Sequence, residues 1–160
     1  MAGHKFAVAA AMMFLGGCAT HSVGTAQAAH GCDGSPASNR RVVLAFYTEG
    51  LIGRQPRYAF ERYMAPGFVE HKPDVPQGTR EAAATFLEEL IAEVPQPRWD
   101  VLRTIAEGDL VFLHARFTPA EGAPAYAIAD IFRLKECKIV EHWDVVAPPP
   151  KDQRNSNPRF

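Results

Sequence analysis

Two carboxylates and a histidine in the C-terminal third of the chain have the types and spacing for proton transfer. In Tyr126–Leu134 one alternating set is Tyr126, Ile128, Asp130, Phe132 and Leu134, and the other is Ala127, Ala129, Ile131 and Arg133. Asp130 therefore stands alone among large apolar side chains. A carboxylate on such a wall loses hydration unless donors or a cation compensate, and it is the kind of group that acid/base chemistry near neutral pH uses. The next segment, Lys138–Val146, offers Val140, His142, Asp144 and Val146 on one face and Ile139, Glu141, Trp143 and Val145 on the other.

The hairpin register decides which of these meets Asp130. Three connecting residues centred on Cys137 would place Asp130 opposite Asp144 and Phe132 opposite His142. A two-residue turn at Glu136-Cys137 would place Asp130 opposite Trp143 instead, because a one-residue slip exchanges the faces of a strand. The first register gives two carboxylates and an imidazole on one wall, a general acid/base set. The second gives an aromatic-lined binding cavity. Both stay open at this level.

Two further histidines are candidates. His114 shares its strand face with Leu110, Phe112 and Arg116, as pocket lining or as a structural residue. His71, in Val69-Glu70-His71-Lys72-Pro73, precedes a Pro-rich loop and would stand at a cavity mouth or on an exposed loop. No pair of histidines has the i, i+4 spacing of helical metal ligands, so no metal is expected. G-x-S-x-G, P-loop and G-x-G-x-x-G motifs are all lacking.

The elements that must position these residues are legible. Arg40–Ile52, after Ser38 and Asn39 as candidate caps, has a helical stripe of Val42, Val43, Phe46, Tyr47 and Gly50. Pro56–Met64 and Arg80–Val94 are two further helices, with Pro66-Gly67 a break and Phe68–Lys72 a short extended segment. After Pro97 the period changes to two, giving strands Arg98–Ala106, Leu110–Phe117, Tyr126–Leu134 and Lys138–Val146. Helices followed by an antiparallel sheet define an α+β domain, here three helices across the concave side of a curved sheet enclosing a pocket.

With 160 residues, 47% hydrophobic and 22% charged, the chain is one globular domain rather than a disordered one. Its 17 Lys+Arg against 18 Asp+Glu leave a net charge of -1, without the positive field that nucleic-acid binding needs. No apolar run reaches the ~20 residues of a membrane span. The N-terminus is an address: Lys5 and the apolar run Phe6–Leu15 form a secretory signal peptide over residues 1–17. Leu15-Gly16-Gly17-Cys18 has the form of a bacterial lipobox, making Cys18 a lipidation site, while Ala26-Gln27-Ala28 offers an alternative cleavage after residue 28. The expected protein is exported from a bacterial cytoplasm, as a periplasmic or membrane-anchored lipoprotein touching the membrane only through that anchor. Residues 18–39 read as a flexible tether, 40–147 as the domain and 148–160 as a disordered tail. Cys32 and Cys137 remain as an even pair, a disulfide or two free thiols.

Tyr63-Met64-Ala65-Pro66-Gly67-Phe68-Val69-Glu70-His71-Lys72-Pro73, Glu107-Gly108-Asp109-Leu110-Val111, Asp130-Ile131-Phe132-Arg133-Leu134 and Lys138-Ile139-Val140-Glu141-His142-Trp143-Asp144 resemble the SnoaL-like branch of the nuclear transport factor 2-like superfamily. The resemblance spans about Arg40–Ala147. It implies a cone-shaped α+β barrel with a deep apolar pocket, commonly dimeric through the sheet. Some relatives are polyketide cyclases that need no metal or cofactor. By position Asp144 matches their catalytic Asp, and Asp130 stands where the cyclase has a pocket His. Cys137 replaces the Gly usual in the turn. The resemblance favours the register that puts Asp130 and Asp144 in one cavity. The leading expectation is acid/base chemistry on a small apolar carbonyl compound by Asp144 and Asp130, with His71, His142, Trp143, His114, Phe132 and Tyr126 lining the site. The rivals are a non-catalytic carrier of a small hydrophobic ligand, with a carboxylate tied to Arg133 or Arg116, and an envelope accessory protein acting through its dimer surface.

Overall fold

The computed structural model describes residues 31–160. The signal peptide, the residue 15–18 motif, Cys18 and the cleavage site after residue 28 lie outside them. Helix α1 (Pro36–Phe46) starts four residues before the sequence reading placed it, because Ser35 caps it and Pro36 opens it. Ser38 and Asn39 are therefore buried first-turn residues rather than caps. The Ser38 hydroxyl donates to Asp33 at 2.7 Å, and the Asn39 amide donates to the carbonyls of Gly34 and Gly108, each at 3.2 Å. The helix widens into a π-helical segment, Tyr47–Ile52, where Gly50 lets helix α2 (Pro56–Tyr63) approach. A Cβ on Gly50 would sit 3.0 Å from that of Ala59.

Strand β1 (Met64–Glu70) is longer than the predicted Phe68–Lys72 and includes Pro66 and Gly67. It is an edge strand, where a missing backbone donor is tolerated. A short 3-10 turn, Pro76–Gly78, leads to α3 (Arg80–Glu93), capped by the Thr79 side chain. Gly78 has φ +60°, and a Cβ there would lie 2.6 Å from the Glu70 carbonyl oxygen, so glycine is required where this loop closes over the end of β1. Strands β2 (Arg98–Glu107), β3 (Leu110–Thr118), β4 (Tyr126–Lys135) and β5 (Lys138–Ala147) follow within a residue of their predicted bounds. The sheet order is β1-β5-β4-β3-β2, with β1 parallel to β5 and the rest antiparallel. The sheet is curved and unclosed, and the helices lie across one face.

The β4–β5 hairpin combines the two registers that the sequence left open. Its turn is the two-residue Glu136-Cys137, both residues with positive φ (51° and 63°), and Lys135 pairs with Lys138. Continued unbroken, that register would bring Trp143 opposite Asp130. Between Leu134–Ile139 and Arg133–Glu141 the pairing shifts by one residue, leaving Val140 as a β-bulge. Beyond it Phe132 faces His142 and Asp130 faces Asp144.

Cys32 and Cys137 form a disulfide that ties the segment before α1 to this turn. The tail beyond Ala147 has no regular structure, but Arg159 donates to the carbonyls of Ala125 (3.1 Å) and Ala147 (2.9 Å). Among the described residues no helix is long and apolar enough to cross a membrane.

The disulfide joins residues 105 apart in sequence, so it restricts the unfolded chain strongly. Replacing both cysteines with serine is expected to lower the unfolding free energy by roughly 2–4 kcal/mol in denaturant titrations. A loss below about 0.5 kcal/mol would show that the segment before α1 is not held by the cross-link.

Candidate functional site

A cavity of about 430 Å³ lies between the helices and the sheet. Most of its wall is apolar, from Phe46, Leu51, Phe60, Met64, Leu87, Leu90 and Phe117 among others, while its polar groups gather on β1, β4 and β5. Asp130 and Glu70 are buried, at 5% and 8% exposure, and His142 lies between them. His142 Nε2 is 3.2 Å from Asp130 Oδ1, and Nδ1 is 2.8 Å from Glu70 Oε2. Tyr47, carried into the cavity by the π-helical segment, donates its hydroxyl to Asp130 Oδ2. Glu70 also accepts from the Lys72 backbone N–H at 2.9 Å. The result is one hydrogen-bonded chain, Tyr47–Asp130–His142–Glu70, which crosses three adjacent strands.

Burial alone would push the His142 pKa down. The hydrogen bonds and charges of Asp130 and Glu70 more than offset it and hold the pKa up at about 10. His142 is thus an imidazolium at neutral pH, with both ring nitrogens donating, and its ring stacks on Phe132 at 4.6 Å. Burial, and then the neighbouring Asp130 charge, raise the Tyr47 phenol well above its ordinary value, so it stays a neutral donor.

Asp144 lines the same cavity but has its own partner. Lys72 Nζ lies 2.9 Å from Asp144 Oδ2 and 3.3 Å from the exposed Asp74. Burial favours neutral lysine, yet the hydrogen bonds and charges of Asp144 and Asp74 raise its pKa overall. The two aspartates face each other in register, each with a separate cationic partner.

Tyr126, Phe132 and His142 also line the cavity. His71, Trp143 and His114, expected at the site, are not among its lining residues. Trp143 follows His142 on β5 and so lies on the outer face, where the exposed His71 stacks on it at 4.5 Å and Arg133 covers it. On β3 the inward set is Val111, Leu113, Ala115 and Phe117, leaving His114 outside, with Nδ1 3.0 Å from Arg103. Neither arginine named for the carrier reading touches a pocket carboxylate: Arg133 pairs with Asp109 and Glu141, and Arg116 with Asp100. The sequence reading missed Tyr47, Glu70 and Lys72 as site residues. Continuing period-two alternation from β1 through His71 would have pointed Glu70 and Lys72 inward, opposite to His71. Among the described residues no group of three or more His, Cys, Asp or Glu side chains is arranged to hold a metal ion.

The family model for the SnoaL-like domain matches residues 43–142, and the chain belongs to this family. No functionally curated protein matches it. Among solved structures it is similar to TsrD from Streptomyces laurentii, at 20% identity and TM-score 0.58 over 70% of this chain and 90% of that one. It is also similar to a protein from Jannaschia sp. CCS1 described as a SnoaL-like polyketide cyclase, at 25% identity and TM-score 0.57 over 72% and 91%. A third is AclR from Streptomyces galilaeus, described as a hydroxylase, at 20% identity and TM-score 0.60 over 72% and 83%. These likenesses fix a nuclear transport factor 2-like fold.

A group whose folded pKa is raised contributes stability that is complete below its unfolded pKa. For His142 the contribution is full below about 6.5 and is lost as pH rises towards about 10. Unfolding free energy is therefore expected to fall across that window, and His142→Gln or Glu70→Gln should flatten the slope. A wild-type slope unchanged in both variants would contradict the clamped imidazolium.

Proposed function

We propose that the protein is a cofactor-independent enzyme moving protons on a small apolar carbonyl compound, in reactions of the aldol, isomerisation or dehydration type. One observation carries the reading: a buried carboxylate, Asp130, faces an apolar cavity while accepting from both Tyr47 and the His142 imidazolium. Two donors fix the Asp130 carboxylate in place at the edge of apolar space, which makes it a positioned base. It takes a proton from the carbon beside the carbonyl, and the C–H electron pair moves onto the carbonyl oxygen. Once protonated, Asp130 is a poorer acceptor, and the Tyr47 hydroxyl is free to donate to the enolate. The same proton then returns to a carbon or to oxygen.

The sequence reading gave the leading role to Asp144. Its pairing with Lys72 supports exchanging the roles, with Asp130 as base and Asp144 orienting the ligand. The names attached to structural neighbours include both cyclase and hydroxylase, so the fold alone does not assign the chemistry. A second reading, a non-catalytic carrier of a hydrophobic molecule, is favoured by the fact that both aspartates have partners within the chain.

Export and a dimer belong to the same proposal. The Cys32–Cys137 disulfide supports an oxidising compartment. A row of side chains in register, Ile105, Phe112, Ile131 and Trp143, crosses the outer sheet face and supports pairing through it. Both parts are read from protein recovered from cells. A chain beginning at lipidated Cys18 or at Ala29, sedimenting at twice its mass, is expected; an uncleaved monomer contradicts both.

The chemistry is tested by deuterium exchange beside the carbonyl of a panel of apolar ketones, followed by proton NMR. Asp130→Asn should slow exchange at least ~100-fold while ligand still binds. Ketones that bind but exchange no faster than in buffer would leave the carrier reading in place.

A further inference from the structure

We propose that the ligand of this cavity carries a cationic nitrogen, an amine or ammonium group on an apolar body, which takes the place of the Lys72 ammonium against Asp144. The inference rests on the cavity being a ligand site, as proposed above, but not on the proton transfer assigned to Asp130.

Among the described residues the cavity is lined by four carboxylates, Glu70, Asp74, Asp130 and Asp144, against two cations, Lys72 and His142. Both cations are engaged. His142 gives its two ring nitrogens to Glu70 and Asp130, and Lys72 contacts Asp144 and Asp74. An anionic ligand would find no unpaired cation here and would face the surplus of negative charge. A neutral group would gain no charge–charge attraction from it.

The Lys72 side chain already shows how an ammonium is held. Its Nζ lies 2.9 Å from Asp144 Oδ2 and 3.3 Å from Asp74 Oδ2, and 5.9 Å from the centroid of the Phe86 ring. The two carboxylates differ in setting: the Asp144 side chain is 10% exposed and that of Asp74 is 70% exposed. On its flexible stem Lys72 can withdraw towards Asp74 and solvent. That movement alone would strand Asp144 on an apolar wall, which is costly unless another cation replaces the ammonium. A ligand nitrogen does so while its apolar body fills the space beside Phe86 and Leu87. Lys72 is then the resident occupant of a site that a ligand cation takes over.

Three probes with one apolar body separate the cases: naphthylmethylammonium, naphthylmethanol and naphthoate, titrated calorimetrically into the full chain at neutral pH. The ammonium should bind at least about tenfold more tightly than the alcohol, and the naphthoate most weakly. Asp144→Asn should remove the preference, weakening the ammonium far more than the alcohol. Lys72→Met, which vacates the site without touching the carboxylates, should tighten the ammonium severalfold. Thermal melting establishes that each variant is folded. Equal binding of ammonium and alcohol, tightest binding of naphthoate, or weaker ammonium binding in Lys72→Met would each overturn the proposal. Ketone exchange reads the proton transfer at Asp130 and the probe titrations read the charge preference at Asp144, so either proposal can fail while the other stands.

Discussion

An imidazolium held between two buried carboxylates is the interaction on which the site depends. His142 joins Glu70 on β1 to Asp130 on β4 from its own position on β5, so three strands meet at one ring. Each carboxylate alone would be expensive inside the domain, and so would the cation. Together they satisfy one another, with Tyr47 and the Lys72 backbone N–H completing the set. Removing one member strands the others, at a cost of about 3–5 kcal/mol for a buried pair. The same contacts that make the cluster cohesive fix the Asp130 carboxylate beside apolar space.

That arrangement depends on a single extra residue. The turn at Glu136-Cys137 alone would set a register with Trp143 opposite Asp130, and the bulge at Val140 converts it to one that turns His142 and Asp144 inward. The disulfide from Cys32 to Cys137 fastens the turn three residues before the bulge at Val140. At the other end of the site, Gly78 packs against the Glu70 carbonyl and brings the loop back over β1. Backbone devices at both ends therefore serve one side-chain cluster.

Much of the fold was legible because its signals are local. The change of period after Pro97 located four strands to within a residue, and Pro56 and Thr79 marked helix starts. Local signals failed where a longer-range contact decides. Ser38 and Asn39 look like caps, yet hydrogen bonds to Asp33 and Gly108 bury them within the helix. In the site, the alternation on β4 singled out Asp130 correctly as facing the cavity. Alternation alone left the register of β5 open, since a bulge leaves no mark in it, and only the family resemblance favoured the pairing of Asp130 with Asp144. Tyr47 looked like a core aromatic, because a π-helical turn was not legible. Trp143, His71 and His114 drew attention by residue type, but alternation along β5 and β3, and just past the end of β1, sends them to the outer face.

Nitrogen-15 and proton NMR of the His142 ring, recorded as pH is raised from neutrality, tests the central claim most directly. The account predicts that Nδ1 and Nε2 both remain protonated through neutral pH, with titration at about 10. A single protonated ring nitrogen at pH 7.5, with titration near the ordinary histidine value of about 6.5, would contradict it. Asp130 would then lack its cation, and the cavity would be lined by separate polar groups rather than by one connected chain.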